Sequence, residues 1–512
     1  GAALPARFAP GPLGLRVEVD DALARWPVHI DPVYSTADTT VDGGAPGDAF
    51  GTVVTLAGDV NGDEYDDIVV GAPDANSGAG AAWLFLGGAD GLASSPISTI
   101  AGGAVGDRLG AAIAGAGDVN GDGFDDVIIG APGASSSTGQ ARLYPGGLTG
   151  LQTASVVTLT GPSAGALFGS AVAGGGDLNR DGYTDVLIGA PGVSSSAGRA
   201  YAYRGRSTGL NTTVSATFSG PSAGAEYGAA VAIIRDINSD AYDDVAIGAP
   251  SVSSSAGAVY VYRGVGTTAL ANTSAVAVLT GPGAGAEYGT SLSGGEDLNS
   301  NGYYDLVVGA PGADSGQGRA YVHFGATTWF PTSTYLSLGA ASDAFGVTVA
   351  VAGDVDNDGF SDIVVGSYPA GGAGRVDLFL GGSGGPSTTP DLTLTGEASG
   401  DAFGAALAPA GDIDDDGYAD IVVGAPAADS DTGRIYVFLG YADTDGDGVS
   451  AIDDCDDADP AVGARALRYA DQDGDGYGAI EGELVCPDET PYVDNGLDCD
   501  DTDPAAGEYG LL

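Results

Sequence analysis

The sequence predicts an all-β fold: a seven-bladed β-propeller with cation-binding loops, closed by an N-terminal strand and followed by a small Asp-rich tail. Three observations predict it. An acidic loop returns seven times, its first Asp at 59, 118, 177, 236, 297, 354 and 412, in steps of 59, 59, 59, 61, 57 and 58 residues. Each unit carries four short strand-like runs and nothing of helical period. The last unit lacks its fourth run, while a spare one stands ahead of the first unit.

The second unit gives the elements in order. Residues 107–117 ("DRLGAAIAGAG") read as a small-residue strand reached through a Gly turn, and 118–126 ("DVNGDGFDD") as the acidic loop. Residues 127–132 ("VIIGAP") are a continuous apolar run, as expected of a strand covered on both faces. A turn at 133–139 ("GASSSTG") leads to an alternating third strand at 140–147, and 155–161 read as a fourth. The seventh unit stops after its third strand at 433–441 ("GRIYVFLGY"). The spare strand near 35–44 ("STADTTVDGG") is expected to complete that blade and close the ring, which removes free sheet edges. The domain reading is therefore 1–34 as the last hairpin of an upstream domain, 35–441 as the propeller, and 442–512 as Asp-rich metal-binding repeats. Two strands about a turn are expected within 14–32, with Trp26 and His29 in hairpin packing.

Composition narrows function. The formal net charge is −53; of the 69 acidic residues 10 are Glu and 59 Asp, and all 16 basic residues are Arg. Short-armed carboxylates suit turns, where they bond nearby backbone or hold a cation. No basic stripe exists, which argues against a nucleic-acid partner. No apolar run reaches the roughly 18 residues of a spanning helix. The chain begins at Gly1, has no Met and shows no leader, so it reads as a processed piece of a longer product.

Positions 1, 3, 5 and 9 of each loop carry side-chain oxygens. They are Asp59, Asn61, Asp63 and Asp67; Asp118, Asn120, Asp122 and Asp126; Asp177, Asn179, Asp181 and Asp185; and Asp236, Asn238, Asp240 and Asp244. The last three sets are Asp297, Asn299, Asn301 and Asp305; Asp354, Asp356, Asp358 and Asp362; and Asp412, Asp414, Asp416 and Asp420. Alternate positions on a tight loop aim their oxygens at one centre. Position 7 (Tyr65, Phe124, Tyr183, Tyr242, Tyr303, Phe360, Tyr418) would add a backbone carbonyl, and the Gly usual at position 6 allows the sharp turn. Calcium takes six to eight oxygens at about 2.3–2.6 Å, which this set supplies. The first half resembles an EF-hand loop without its position-12 Glu or flanking helices. Two loops depart at position 6, with Glu64 and Ala241. The fifth, with Asn301, should bind most weakly; the sixth and seventh, with four Asp each, most tightly. Two bare carboxylates about 4 Å apart repel by roughly 1–4 kcal/mol, so a four-Asp loop calls for a cation. Seven copies of one catalytic centre make no sense, and a solvated Asp/Gly turn is the plainer alternative.

The runs "DAFG" (48–51, 343–346, 401–404), "LFG" (167–169) and "EYG" (226–228, 287–289) precede "VVGAP", "IIGAP", "LIGAP" and "AIGAP". This pattern, over about 35–441, resembles the FG-GAP repeat of integrin α-subunit head domains and related bacterial surface proteins. The resemblance implies a calcium-bearing propeller, extracellular or on a cell surface, engaged in adhesion or ligand binding.

The tail repeats the D-x-D-x-D-G pattern at 443–460 and 471–478, and resembles thrombospondin type 3 and bacterial surface metal-binding repeats, some described as copper-binding. Its donors are hard oxygens, which suit calcium better. Candidate ligands are Asp443, Asp445, Asp447 and Asp454, then Asp471, Asp473 and Asp475, with some of Asp498, Asp500, Asp501 and Asp503. A cation-stiffened spacer is the preferred reading over a disordered acidic linker. Cys486 and Cys499 flank a short loop and are expected to form a disulfide, which fits an oxidising compartment. Cys455 has no evident partner.

No enzyme is expected. The two His, His29 and His323, are far apart, and no G-x-S-x-G, H-E-x-x-H or phosphate loop is present. The loops opposite the acidic ones, such as "GVSSSAGR" and "SVSSSAGA", are small and polar, without the aromatic and Arg anchors of a binding hot spot. One run, "TTWFPTSTYLSL" (327–338), breaks the pattern: Trp329, Phe330 and Tyr335 are either outer-strand packing or an exposed contact patch. The function expected is a calcium-binding propeller in adhesion or protein–protein interaction, with a protein or surface glycan as partner. The alternatives are a structural head or spacer serving other domains of the parent chain, and an accessory domain of a secreted hydrolase.

Overall fold

A computed structural model describes residues 37–440, except 267–269, 272, 331, 337–342 and 369–371, together with five short strands outside that range. Residues Tyr34–Gly440 form one compact unit, and Gly1–Val33 with Tyr441–Leu512 form another.

The larger unit is a seven-bladed β-propeller. Its blades are four-stranded antiparallel sheets, and in six of them the strands pair in chain order. In the second blade these are Ala112–Gly117, Asp126–Ala131, Gln140–Tyr144 and Val157–Thr160, from the channel outward. The second strand of this blade, DVIIGA, is buried along its whole length, because both its faces meet neighbouring blades. The core therefore lies between blades. Val69, Ala82, Leu84 and Ile100 of the first blade pack with Leu109, Ile113, Val127 and Ile129 of the second. Each such fully buried aliphatic side chain contributes about 1.5–3 kcal/mol.

The seventh blade takes its outer strand from the N-terminus. Thr39–Asp42 pairs with Arg434–Phe438, in the register Thr39↔Val437 to Asp42↔Arg434. Arg434 reinforces this closure: its guanidinium reaches Asp42 (2.5 Å), Glu397 (2.7 Å) and Asp429 (2.9 Å). A core cluster crosses the same seam, joining Val41, Val422, Ile435 and Val437 to Phe50, Val54, Ile68 and Val70.

The paired glycine motifs follow from close approach between blades. A Cβ on Gly130 would lie 2.0 Å from the carbonyl oxygen of Gly169 in the next blade, and one on Gly424 would lie 2.1 Å from that of Gly51. The seam thus repeats the other junctions. In the second blade the turn after the second strand is left-handed: Ser135, Ser136 and Ser137 have φ of 53°, 60° and 58°. That conformation points carbonyls at the following blade, where Ser137 accepts the Leu167 N–H at 3.0 Å and Thr138 the Phe168 N–H at 3.3 Å.

In the smaller unit, Ala6–Gly11 pairs with Gly14–Val19, and Ala466–Ala470 lies between Gly482–Val485 and Tyr492–Val493. Of the hairpin expected within 14–32, Gly14–Val19 is a strand, here paired with Ala6–Gly11, and residues 20–32 lie outside the described residues. Trp26, His29, the tail aspartates from Asp443 to Asp503, and Cys455, Cys486 and Cys499 lie outside the described residues.

Candidate metal centres

The acidic loops join the inner strand of each blade to the second. In the second blade the ladder shifts register between Gly115 and Gly117, just before the position-1 aspartate. Left-handed residues follow at positions 4 and 6. Gly121 and Gly123 have φ of 76° and 88°; in the fourth loop Ser239 and Ala241 hold 59° and 73°, and in the first Glu64 holds 77°. All seven loops thus turn alike, Glu64 and Ala241 adopting a conformation that suits glycine. These turns aim backbone N–H groups inward at the position-1 carboxylate. Asp118 accepts from Gly121 at 2.6 Å, Asp122 at 3.1 Å and Gly123 at 2.8 Å; Asp412 accepts from Asp416 at 3.0 Å and Gly417 at 2.9 Å.

The position-9 aspartates, Asp67, Asp126, Asp185, Asp244, Asp305, Asp362 and Asp420, are fully buried. Each clasps the loop to its blade with two backbone amides. One oxygen accepts the N–H of position 2, as Asp420 does from Ile413 at 2.7 Å. The other accepts from the glycine closing the third strand, as with Gly440 at 2.7 Å. Burial outweighs these two donors and pushes the carboxyls up, to about 7 in Asp67, Asp126 and Asp305 and about 8 in Asp185, Asp244, Asp362 and Asp420.

Positions 1, 3 and 9 converge. Carboxylate oxygens of Asp354, Asp356 and Asp362 lie within 4.8 Å of one another, as do those of Asp412, Asp414 and Asp420. These are the two loops expected to bind most tightly. Position 5 stands outside those triads and accepts the position-7 N–H instead: Asp358 from Phe360 and Asp416 from Tyr418, both at 2.9 Å. In the third and seventh loops the position-3 oxygens Asn179 Oδ1 and Asp414 Oδ1 are buried without a hydrogen-bond partner. A buried, unpaired acceptor beside two carboxylates fits a hard divalent cation, which would supply the missing positive charge.

Two contributions escaped the sequence reading. At position 8, Asp66 Oδ2 accepts the Asp412 N–H of the seventh loop at 3.1 Å, and Asp243 Oδ2 accepts the Asp177 N–H of the third at 2.8 Å. The doubled Asp in "YDD" was the available signal. The second is Arg263, whose Nε donates to Asp240 in the fourth loop; nothing in the loop sequence marks it. Within the run at 327–338, Thr327 and Thr328 are exposed, the Tyr335 side chain lies outside what the structure describes, and the two aromatics ahead of it pack inward. Trp329 and Phe330 are half-buried against the core of the fourth and fifth blades, and the Phe330 ring lies 5.7 Å from His323.

The FG-GAP repeat family matches residues 50–85, 109–144, 168–203, 227–262, 288–323, 345–379 and 403–438, one stretch per blade. Integrin alpha-V of Gallus gallus is 34% identical over 209 residues, 38% of this chain and 19% of that protein. Integrin alpha-5 of Xenopus laevis is 30% identical over 222 residues, 40% of this chain and 20% of that protein. Integrin alpha-7 of Rattus norvegicus is 39% identical over 156 residues, 29% and 14% respectively. The alignments thus span a fifth or less of these relatives. Among solved structures, Sqt1 from Chaetomium thermophilum aligns over 80% of this chain and 100% of its own, with a TM-score of 0.44 and 15% identity.

Proposed function

Because the chain belongs to the FG-GAP repeat family and folds as its seven-bladed propeller, we propose that it is an extracellular, calcium-stabilised module for adhesion or protein–protein contact at a cell surface. The observation that carries the cation reading is the convergence of Asp412, Asp414 and Asp420 around the unpaired Asp414 Oδ1. Calcium would be held by positions 1, 3 and 9 of a loop, with position 5 and the position-7 carbonyl completing the shell. Its contribution is structural: it neutralises carboxylates that the fold has already gathered, and so ties two strands together. The resemblance to integrin α-subunit heads supports the adhesive and extracellular part of the reading. No catalytic role is proposed; His323 is buried against Tyr288. The tail, 442–512, would serve as a cation-stiffened spacer with a Cys486–Cys499 disulfide.

A second reading, a rigid head or spacer within a larger surface assembly, is favoured by one feature. The turns opposite the acidic loops present Ser, Gly and Ala, and Trp329 and Phe330 turn inward. A pull-down separates the two. The immobilised chain is exposed to surface extracts in calcium and in EDTA. A protein or glycan retained only with calcium supports adhesion. A folded, calcium-loaded chain that retains nothing overturns it in favour of architecture.

A further inference from the structure

The fourth loop differs from its counterparts in the identity of its counter-charge. The residue just before the glycine that caps the position-9 carboxylate is apolar in five blades: Leu86, Pro145, Phe324, Leu380 and Leu439. In the fourth it is Arg263. Its Nε donates to Asp240 Oδ2, while Asp240 Oδ1 accepts the Tyr242 N–H at 3.2 Å. Both oxygens of the position-5 carboxylate are thereby engaged. Among the described residues no other position-5 side chain pairs with an arginine. The third blade provides the comparison. Its equivalent, Arg204, has a buried Nε without a hydrogen-bond partner, and the neighbouring loop keeps Asn179 Oδ1 unpaired. An arginine at this place therefore does not by itself fill a loop; contact with position 5 does.

Resting on the calcium reading above, we propose that Arg263 stands in for a metal ion in the fourth loop, so that this loop is held shut without calcium while its neighbours take it. A guanidinium is charged at every working pH and offers directed N–H donors, so it satisfies a carboxylate as a cation does. It also repels an incoming divalent ion and occupies an oxygen that ion would need. The fourth loop has the same Asp, Asn, Asp, Asp donor set as the first three, so the ion pair of Asp240 with Arg263 is what sets it apart. The Asp236 carboxylate accepts backbone N–H groups from Asp240 at 2.9 Å and from Ala241, as Asp118 and Asp412 do in their loops, so the fourth loop keeps the common turn. The fourth blade is then a fixed point in the ring when calcium is withdrawn.

Arg263 is about half-exposed, so replacing it leaves no cavity. The test is equilibrium dialysis of the full chain against calcium alone, followed by metal analysis, on wild type, Arg263→Gln and Arg263→Lys. The expected result is one more calcium per chain in Arg263→Gln than in wild type, with the wild-type number kept in Arg263→Lys. Equal, non-zero numbers in wild type and Arg263→Gln would overturn the proposal, as would a gain in both variants. A wild type that binds no calcium would instead overturn the calcium reading of all the loops.

Discussion

Tyr288 Oη and His323 Nε2 lie 2.6 Å apart inside the fifth blade, at the place where the hydroxyls of Tyr227 and Tyr262 meet at 2.6 Å in the fourth. The first, sixth and seventh blades hold phenylalanine pairs there: Phe50 with Phe85, Phe345 with Phe379, and Phe403 with Phe438. The third blade holds a mixed pair there, Phe168 with Tyr203, so the slot accepts apolar, mixed or doubly polar ring pairs. A polar atom left buried there without a partner would cost about 1–3 kcal/mol.

That slot makes stability depend on pH. Burial pushes the His323 imidazole down to about 4. The folded chain thus binds the proton more weakly than the unfolded chain, where the value is near 6.5. His323 should leave stability untouched above about pH 6.5 and lower it progressively towards pH 4, by roughly 3 kcal/mol in all. Urea unfolding of wild type and His323→Phe across this range reads the effect as a difference between two curves. Curves that stay parallel would refute it.

The left-handed non-glycine residues at position 6 predict easy gains. Ala241→Gly and Glu64→Gly should each stabilise the calcium-loaded chain by about 1 kcal/mol, because the position has φ of 73° and 77°. Gly182→Ala, at φ 89° in the third loop, should lose a similar amount. Denaturant midpoints compared at constant slope decide this.

Chelation should lower the melting temperature. A single site at a calcium concentration a thousandfold above its Kd stabilises by about 4 kcal/mol. An unchanged thermal melt in EDTA, from protein verified to be metal-free, would show that the loops stand without a cation.

Phe330→Ser should cost about 2 kcal/mol, because the ring packs on the core beside His323 rather than facing solvent. A melting temperature equal to wild type, with a partner lost, would restore the contact-patch reading of the 327–338 run.

The blade count and the closing strand were legible because they rest on periodicity. Seven loops at near-constant spacing and one missing outer strand leave little choice of architecture, and the Thr39–Asp42 pairing follows from counting. That position 1 shapes the loop was also legible, since an Asp ahead of a Gly-containing turn accepts the turn's backbone N–H groups, as Asp118 does. The separation of position 5 from the triad of positions 1, 3 and 9 was not. It depends on which side-chain oxygen a neighbouring N–H reaches first, as Tyr418 does with Asp416. Nor could sequence show that Asp66 reaches the loop of the seventh blade, 346 residues away along the chain. The inward turn of Phe330 was hidden for the same reason: aromatic runs look alike whether they meet solvent or a neighbouring blade.

The closing strand also decides how the ring responds to a pull on its two ends. The Asp38 N–H donates to Val437 O at 2.9 Å, and the Leu439 N–H donates to Asp38 Oδ2 at 2.9 Å. The chain therefore enters and leaves the ring side by side, at the same end of an antiparallel ladder. Tension between those points peels the ladder open one residue pair at a time, beginning at Thr39 and Val437, instead of shearing all pairs at once. The Asp42–Arg434 pair, with its three-carboxylate clamp, is the last to part. Under load the ring behaves as a zipper with a stop at its far end, so the closing strand is both the first part of the ring to yield and the part whose re-pairing restores it.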